Sequence, residues 1–192
     1  TSTFGTSGIF ADTYNNLELK NNIIINTSTP VFATGPAYTV AFRRSSSTLT
    51  TYSTNSNNNC LYAGPPSANN LIYYDGTNAD ESVALFKYRV NPRESASISE
   101  NPTFIDPSNG DLHLNATVPT SHESNGLRIT SPIAVTTDYD NEPRWGETGY
   151  SGTGTATDIG ADESNFTPQP PMTYQTSLAW QQTGNVFAGN TN

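Results

Sequence analysis

The stretch Asn15-Asn16-Leu17-Glu18-Leu19-Lys20-Asn21-Asn22-Ile23-Ile24-Ile25-Asn26 sets an Asn doublet before each of two short apolar bursts. Leu17 and Leu19 alternate with polar neighbours, the period of a half-buried strand, and the three Ile residues form a β-branched run. The same phrasing recurs outward along the chain. Cys60–Tyr62 follows Asn57-Asn58-Asn59, residues 71–74 follow Asn69-Asn70, and further bursts lie at 38–42 and Val83–Val90. Strands of about four to six residues, punctuated this often by Asn, Gly and Pro, specify an all-β fold. Val83–Val90 comes nearest to a helix and is read here as a strand.

The repeated Asn doublets separate one β architecture from another. Asn tolerates the left-handed conformation needed at a corner, and its amides can stack in ladders between successive turns of a parallel solenoid. The alternative, Asn marking hairpin turns in a sandwich, needs no stacking. We expect a parallel β-solenoid with an irregular repeat, in which residues 43–59 make a long polar excursion.

Composition narrows the function classes. Asn, Ser, Thr, Gly and Pro make up about half of the 192 residues, and only 13% are charged. Two Lys and six Arg leave little of the usual helix vocabulary. Seventeen acidic residues give a net charge of −9, a surface that repels phosphate backbones and argues against nucleic acid. The sequence lacks the run of about 18 apolar residues that a membrane-spanning helix needs. Ten Tyr, eight Phe and two Trp argue for a folded chain, and a lone Cys60 rules out an internal disulfide. Abundant Asn and Thr with little Lys suit an exported protein. A start at Thr1 without an apolar leader is expected of a segment of a longer, processed chain.

From residue 101 the character changes. Asn101-Pro-Thr-Phe-Ile-Asp-Pro-Ser-Asn-Gly-Asp-Leu-His-Leu114 places a turn at 107–110 between two short strands. Then come Ser131-Pro132, Asp138-Tyr-Asp-Asn-Glu-Pro-Arg144 and Asp158-Ile-Gly-Ala-Asp-Glu163. In order and spacing these phrases resemble the C-terminal ending of right-handed parallel β-helix proteins on the surface of Bacteroidota, often called a choice-of-anchor module. Asn141 stands where that ending usually has Gly, and residues 115–130 make a longer passage than usual. The resemblance implies a β-helix segment with its closing module over residues 1–163. A Pro-rich linker (164–171) follows, and then a strand extension (172–192) that reads as the start of a truncated β-sandwich.

Three sets of residues are candidates for a site. Asp138, Asp140 and Glu142, with Asp158, Asp162 and Glu163 nearby, offer hard oxygen donors of the kind calcium uses. The competing account of the same phrases is a structural clip, with Arg144 pairing to Asp158 or Glu163 and pinning the last turn. The clip is the expectation carried forward; calcium is the one cofactor considered. Tyr62, Tyr73, Tyr74 and Tyr88 are the candidates for stacking against sugar rings. His113 and His122 have no Cys or His at ligand spacing, and His113 reads as a plain strand residue. Cys60 reads as buried. Arg43, Arg44, Lys87, Arg89 and Arg93 are the few cations a lyase would draw on, and Asp75, Asp80 and Glu81 are carboxylates a glycosidase would draw on, which read as a solvated turn. These features point to a non-catalytic, secreted or cell-surface structural and adhesive module. Its expected partners are other copies of itself, the rest of a longer chain, or surface glycans. A polysaccharide lyase or glycoside hydrolase, and a carbohydrate-binding module, are the alternatives.

Overall fold

Short strands and one α-helix follow each other in the order β1 (Gly5–Ala11), β2 (Ile23–Ile25), β3 (Tyr38–Arg44), β4 (Cys60–Tyr62), β5 (Asn70–Tyr74), β6 (Ala79–Asp80), α1 (Val83–Val90), β7 (Phe104–Asp106) and β8 (Asp111–Leu114). These come from a computed structural model that describes residues 4–12, 16–30, 35 and 37–169. The 172–192 extension lies outside the described residues. The class is all-β.

Parallel pairing carries the N-terminal half. β1, β3 and β5 lie side by side and parallel, with Gly5 opposite Tyr38 and Thr39 opposite Asn70. β2 runs parallel to β4, with Ile23 opposite Cys60. Single parallel bridges join Leu17 to Tyr52, Lys20 to Asn57 and Cys60 to Ile98. The chain therefore returns alongside itself after 31 to 38 residues at each of these places. β6 adds antiparallel to β5 and ends the larger sheet. β7 and β8 form a separate hairpin around Pro107–Asn109, with Gly110 left-handed, as the turn at 107–110 requires.

β3 is the middle strand, so Val40, Ala41 and Phe42 are all buried, as expected of a parallel strand covered on both faces. Phe42 packs against Tyr52 and Tyr73, and Tyr73 stacks on Phe86 with ring centroids 4.9 Å apart. Fully burying Phe42 and Phe86 contributes about 1.5–3 kcal/mol each.

The strand expected at Val83–Val90 is a helix. The spacing of its buried residues, Phe86 and Val90, is i, i+4, which puts both on one helical face. Ser82 caps its N-terminus by accepting from Leu85 N, and the basic residues Lys87 and Arg89 in its last turn suit the helix dipole. Arg89 binds both carboxylate oxygens of Asp80 at 2.6 Å, which fastens the helix to β6.

The Asn clusters make contacts from one pass to the next. Asn22 donates from both its backbone N and its side chain to Asn59 Oδ1, at 3.0 and 2.9 Å. Asn59 in turn donates to Leu19 O and to both oxygens of Glu94, while Asn59 N donates to Ser97 Oγ. Glu94 is fully buried and also accepts from the hydroxyls of Tyr52 and Ser97. Burial, and then the Glu94 carboxylate beside it, push the Tyr52 phenol far above its ordinary value. Asn21 and Asn58 stand at the corners with φ of 54° and 56°, a conformation Asn accepts at low cost.

Asn59→Ala removes the amide that donates to the buried Glu94 carboxylate and takes away the acceptor of Asn22. We expect it to cost roughly 2–4 kcal/mol in chemical denaturation. A loss below about 1 kcal/mol would show that the stacked amide is not needed.

Candidate functional site

Residues 120–166 hold little regular structure, and side chains bonded to backbone groups order them instead. Arg144 is buried at the centre. Its Nη1 donates to the carbonyls of Gly160 and Ala161, and its Nη2 to those of Asp158, Gly160 and Asp162, at 3.0–3.4 Å. Its Nε lies 3.0 Å from Glu163 Oε2 as an ion pair, without the alignment of a hydrogen bond. Of the two partners expected for Arg144, Glu163 meets it side chain to side chain. Asp158 meets it only through its backbone carbonyl. Gly126 crosses so close to this loop that a Cβ there would sit 2.4 Å from Asp158 O.

The carboxylates around the guanidinium bind amides. Asp158 accepts from Ser124 N and Ser164 N, Glu163 from Trp145 N and Asp158 N, and Glu123 from Phe166 N. Glu123 was not singled out in the sequence, because an isolated Glu in a polar stretch carries no signal. Three buried carboxylates thus share a neighbourhood with Arg144. Burial, and then the charges of Glu123 and Glu163, push Asp158 up to about 7 despite its two amide donors. Burial also raises Glu163, with Arg144 and the amides opposing it.

The residues considered for calcium are placed differently. Asp138 Oδ1 accepts from Asp140 N and Glu142 N, and Oδ2 from Glu163 N, while Asn141 takes the left-handed conformation with φ of 66°. Asp140 reaches His113 Nε2 at 3.1 Å, and Glu142 is exposed. Among the described residues, no group of three or more His, Cys, Asp or Glu is arranged to hold a metal.

The four Tyr residues do not share a surface. Tyr73 is wholly buried in the core on Phe86, which removes it from any glycan-stacking face. Tyr74 is half-buried in a cluster with Phe4 and Tyr38. Tyr62 is half-buried on β4, and Tyr88, 87% exposed, projects from α1. Asp75 binds Thr77 N and Asn78 N within the turn expected there, but it and Asp80 are buried rather than solvated; Asp80 holds Arg89, and Glu81 is exposed. Arg43 lies over the Phe4 ring at 3.7 Å, and Arg44 is buried against Thr48 O. Cys60 is buried, and burial pushes its thiol up to about 12.

The two histidines join segments. His113 lies between Asp111 (2.6 Å) and Asp140 (3.1 Å), and its pKa is raised by Asp111 first and then by Asp162. His122 is buried against Thr120 Oγ1, 3.7 Å from Glu100. Burial alone would raise Glu100, but the nearby His122 ring and hydrogen bonds from Thr120 Oγ1 and Ser121 N outweigh it and hold the carboxyl at about 2. The described part of the expected linker, 164–169, is tied down rather than free. Thr120 N donates to Thr167 O, Gln169 N donates to Thr120 O, and Phe166 is buried.

No protein-family model, curated protein or solved structure matches the chain at a significant level.

Arg144→Lys cannot reach four carbonyls at once, so it should destabilise by about 2 kcal/mol or more and open residues 120–166 to proteases. Unchanged protease resistance would contradict this role. The raised Asp158 pKa has a definite sign. Its stabilising contribution is fully present below the unfolded value of 3.8 and is lost as pH rises through about 7. Thermal melts should therefore show lower stability at pH 8 than at pH 5, with a smaller difference in Asp158→Asn. An equal difference in both proteins would refute the assignment.

Proposed function

We propose that the chain is the closing segment of a right-handed parallel β-solenoid that serves an exported cell surface as a structural and adhesive element. The observation that carries this reading is the set of parallel returns after 31 to 38 residues, joined by the Asn22–Asn59 amide stack. Parallel pairing of β1, β3 and β5, with no helix between them among the described residues, fits successive turns of one winding. The resemblance of residues 101–163 to the choice-of-anchor ending supports the same account, as does an Asn- and Thr-rich, Lys-poor composition.

The polar groups support a structural role. Arg144, Glu163, Asp158 and Glu123 bind backbone groups of the closing loops, and Asp75 and Asp80 hold a turn and a helix. β1 and β2 are outermost strands of their sheets. An outer edge of this kind suits pairing with a further strand, from another copy or from more of a longer chain.

The test is incubation of the purified chain with a panel of neutral and uronate-bearing polysaccharides, reading both bond cleavage and binding. Retention on one or more surface glycans without cleavage, or end-to-end assembly seen by electron microscopy, is the expected result. Cleavage abolished by Asp75→Asn or Arg43→Met would replace this reading with an enzyme.

A further inference from the structure

A cleft of about 550 Å³ opens between the corner at residues 20–23 and the closing loops. Ile23, Leu112, Leu127, Ile129, Val135 and Tyr139 wall it. Several of these are strongly exposed for apolar side chains, Leu127 at 40%, Val135 at 41% and Leu112 at 61%. Contiguous apolar surface left open to water marks a binding site more often than chance, and this volume lies within the usual range of about 300–1,000 Å³ for small ligands.

Two further observations say what kind of ligand suits it. Thr157 lines the cleft at 3% exposure, and its hydroxyl has no hydrogen-bond partner within the protein. A buried hydroxyl without a partner is costly, and a bound acceptor would relieve it. The charged residues lining the cleft are Lys20 and Arg144, with no Asp or Glu among its lining residues, in a chain of 17 acids and 8 bases. Lys20 is held in place by Glu18 at 2.5 Å, from outside the lining. Arg144 is already engaged by carbonyls and Glu163, so a negative ligand group would share the Lys20 ammonium, which has three N–H donors, with Glu18.

We propose that this cleft binds a small amphiphilic carboxylate. Its apolar body lies on Leu127, Val135 and Tyr139, and its carboxylate accepts from the Thr157 hydroxyl and faces Lys20. The site is independent of the structural and adhesive reading, since it needs only the packing of the closing loops on residues 20–23. Asn21 fixes that packing by exchanging two hydrogen bonds of 2.7 Å with Leu127 and accepting at its carbonyl from Gly160 N.

The experiment is calorimetric titration of the whole chain with 4-phenylbutyrate, 4-phenylbutanol and 4-phenylbutylammonium, which share an apolar body and differ in head group. The carboxylate should bind at least tenfold more tightly than the alcohol, and the ammonium least. Lys20→Met should remove the preference for carboxylate, and Thr157→Val should weaken it about tenfold. Val135→Asp, at an exposed position, should abolish binding of all three. Leu127→Glu serves the same purpose if that variant does not fold. Equal affinity for carboxylate and alcohol would overturn the proposal. So would binding unchanged in Val135→Asp or Leu127→Glu, or carboxylate binding no tighter than about 10 mM.

Discussion

The Glu94 carboxyl group is wholly buried, and a buried polar group without hydrogen-bond partners costs the fold its full desolvation. Those donors come from separate passes of the chain: Tyr52 and Asn59 from one, Ser97 from the next. Asn59 then hands its own carbonyl oxygen to Asn22 of the preceding pass. Meeting the needs of one acid therefore sets the register of three passes. The aromatic core of Phe42, Tyr73 and Phe86 supplies the apolar burial, but hydrophobic contact is tolerant of small slips. A hydrogen-bonded stack is not.

Residues 120–166 apply the same logic with the charges reversed. Arg144 is a buried cation, and it is surrounded by four backbone carbonyls as well as Glu163. The carboxylates near it bind amides of loops that have no ladder of their own. Such loops are ordered by side chains because they lack the neighbours that strands supply. The arrangement leaves a cluster of acids whose protonation matters, with Asp158 poised near neutrality by burial and by Glu123 and Glu163.

This half of the chain also creates the surface. Docking residues 125–161 beside the corner at 20–23 leaves an apolar cleft with an unpartnered hydroxyl. Neither partner in that packing holds the cleft alone. Its walls come from residues 20–23 on one side and from β7, β8 and residues 127–161 on the other, about 80 residues or more later in the chain.

By itself the sequence determined the all-β class, the turn at Pro107–Gly110, the turn at Asp75 and the burial of Cys60, because each follows from neighbours a few positions away. It also flagged the Asn doublets, since a residue suited to positive φ and to amide stacking is legible wherever it recurs. Val83–Val90 folds as a helix because its apolar residues fit period two only loosely and the i, i+4 pair Phe86–Val90 better, and Ser82, a good N-cap, is the local signal for it. Only the tertiary structure decided that Tyr73 is core, that Glu94 and Glu123 are buried, and that Asp138 binds amides. These outcomes depend on which distant donors arrive beside a side chain, and hydrogen-bond partners 35 to 43 residues away leave no trace in local pattern.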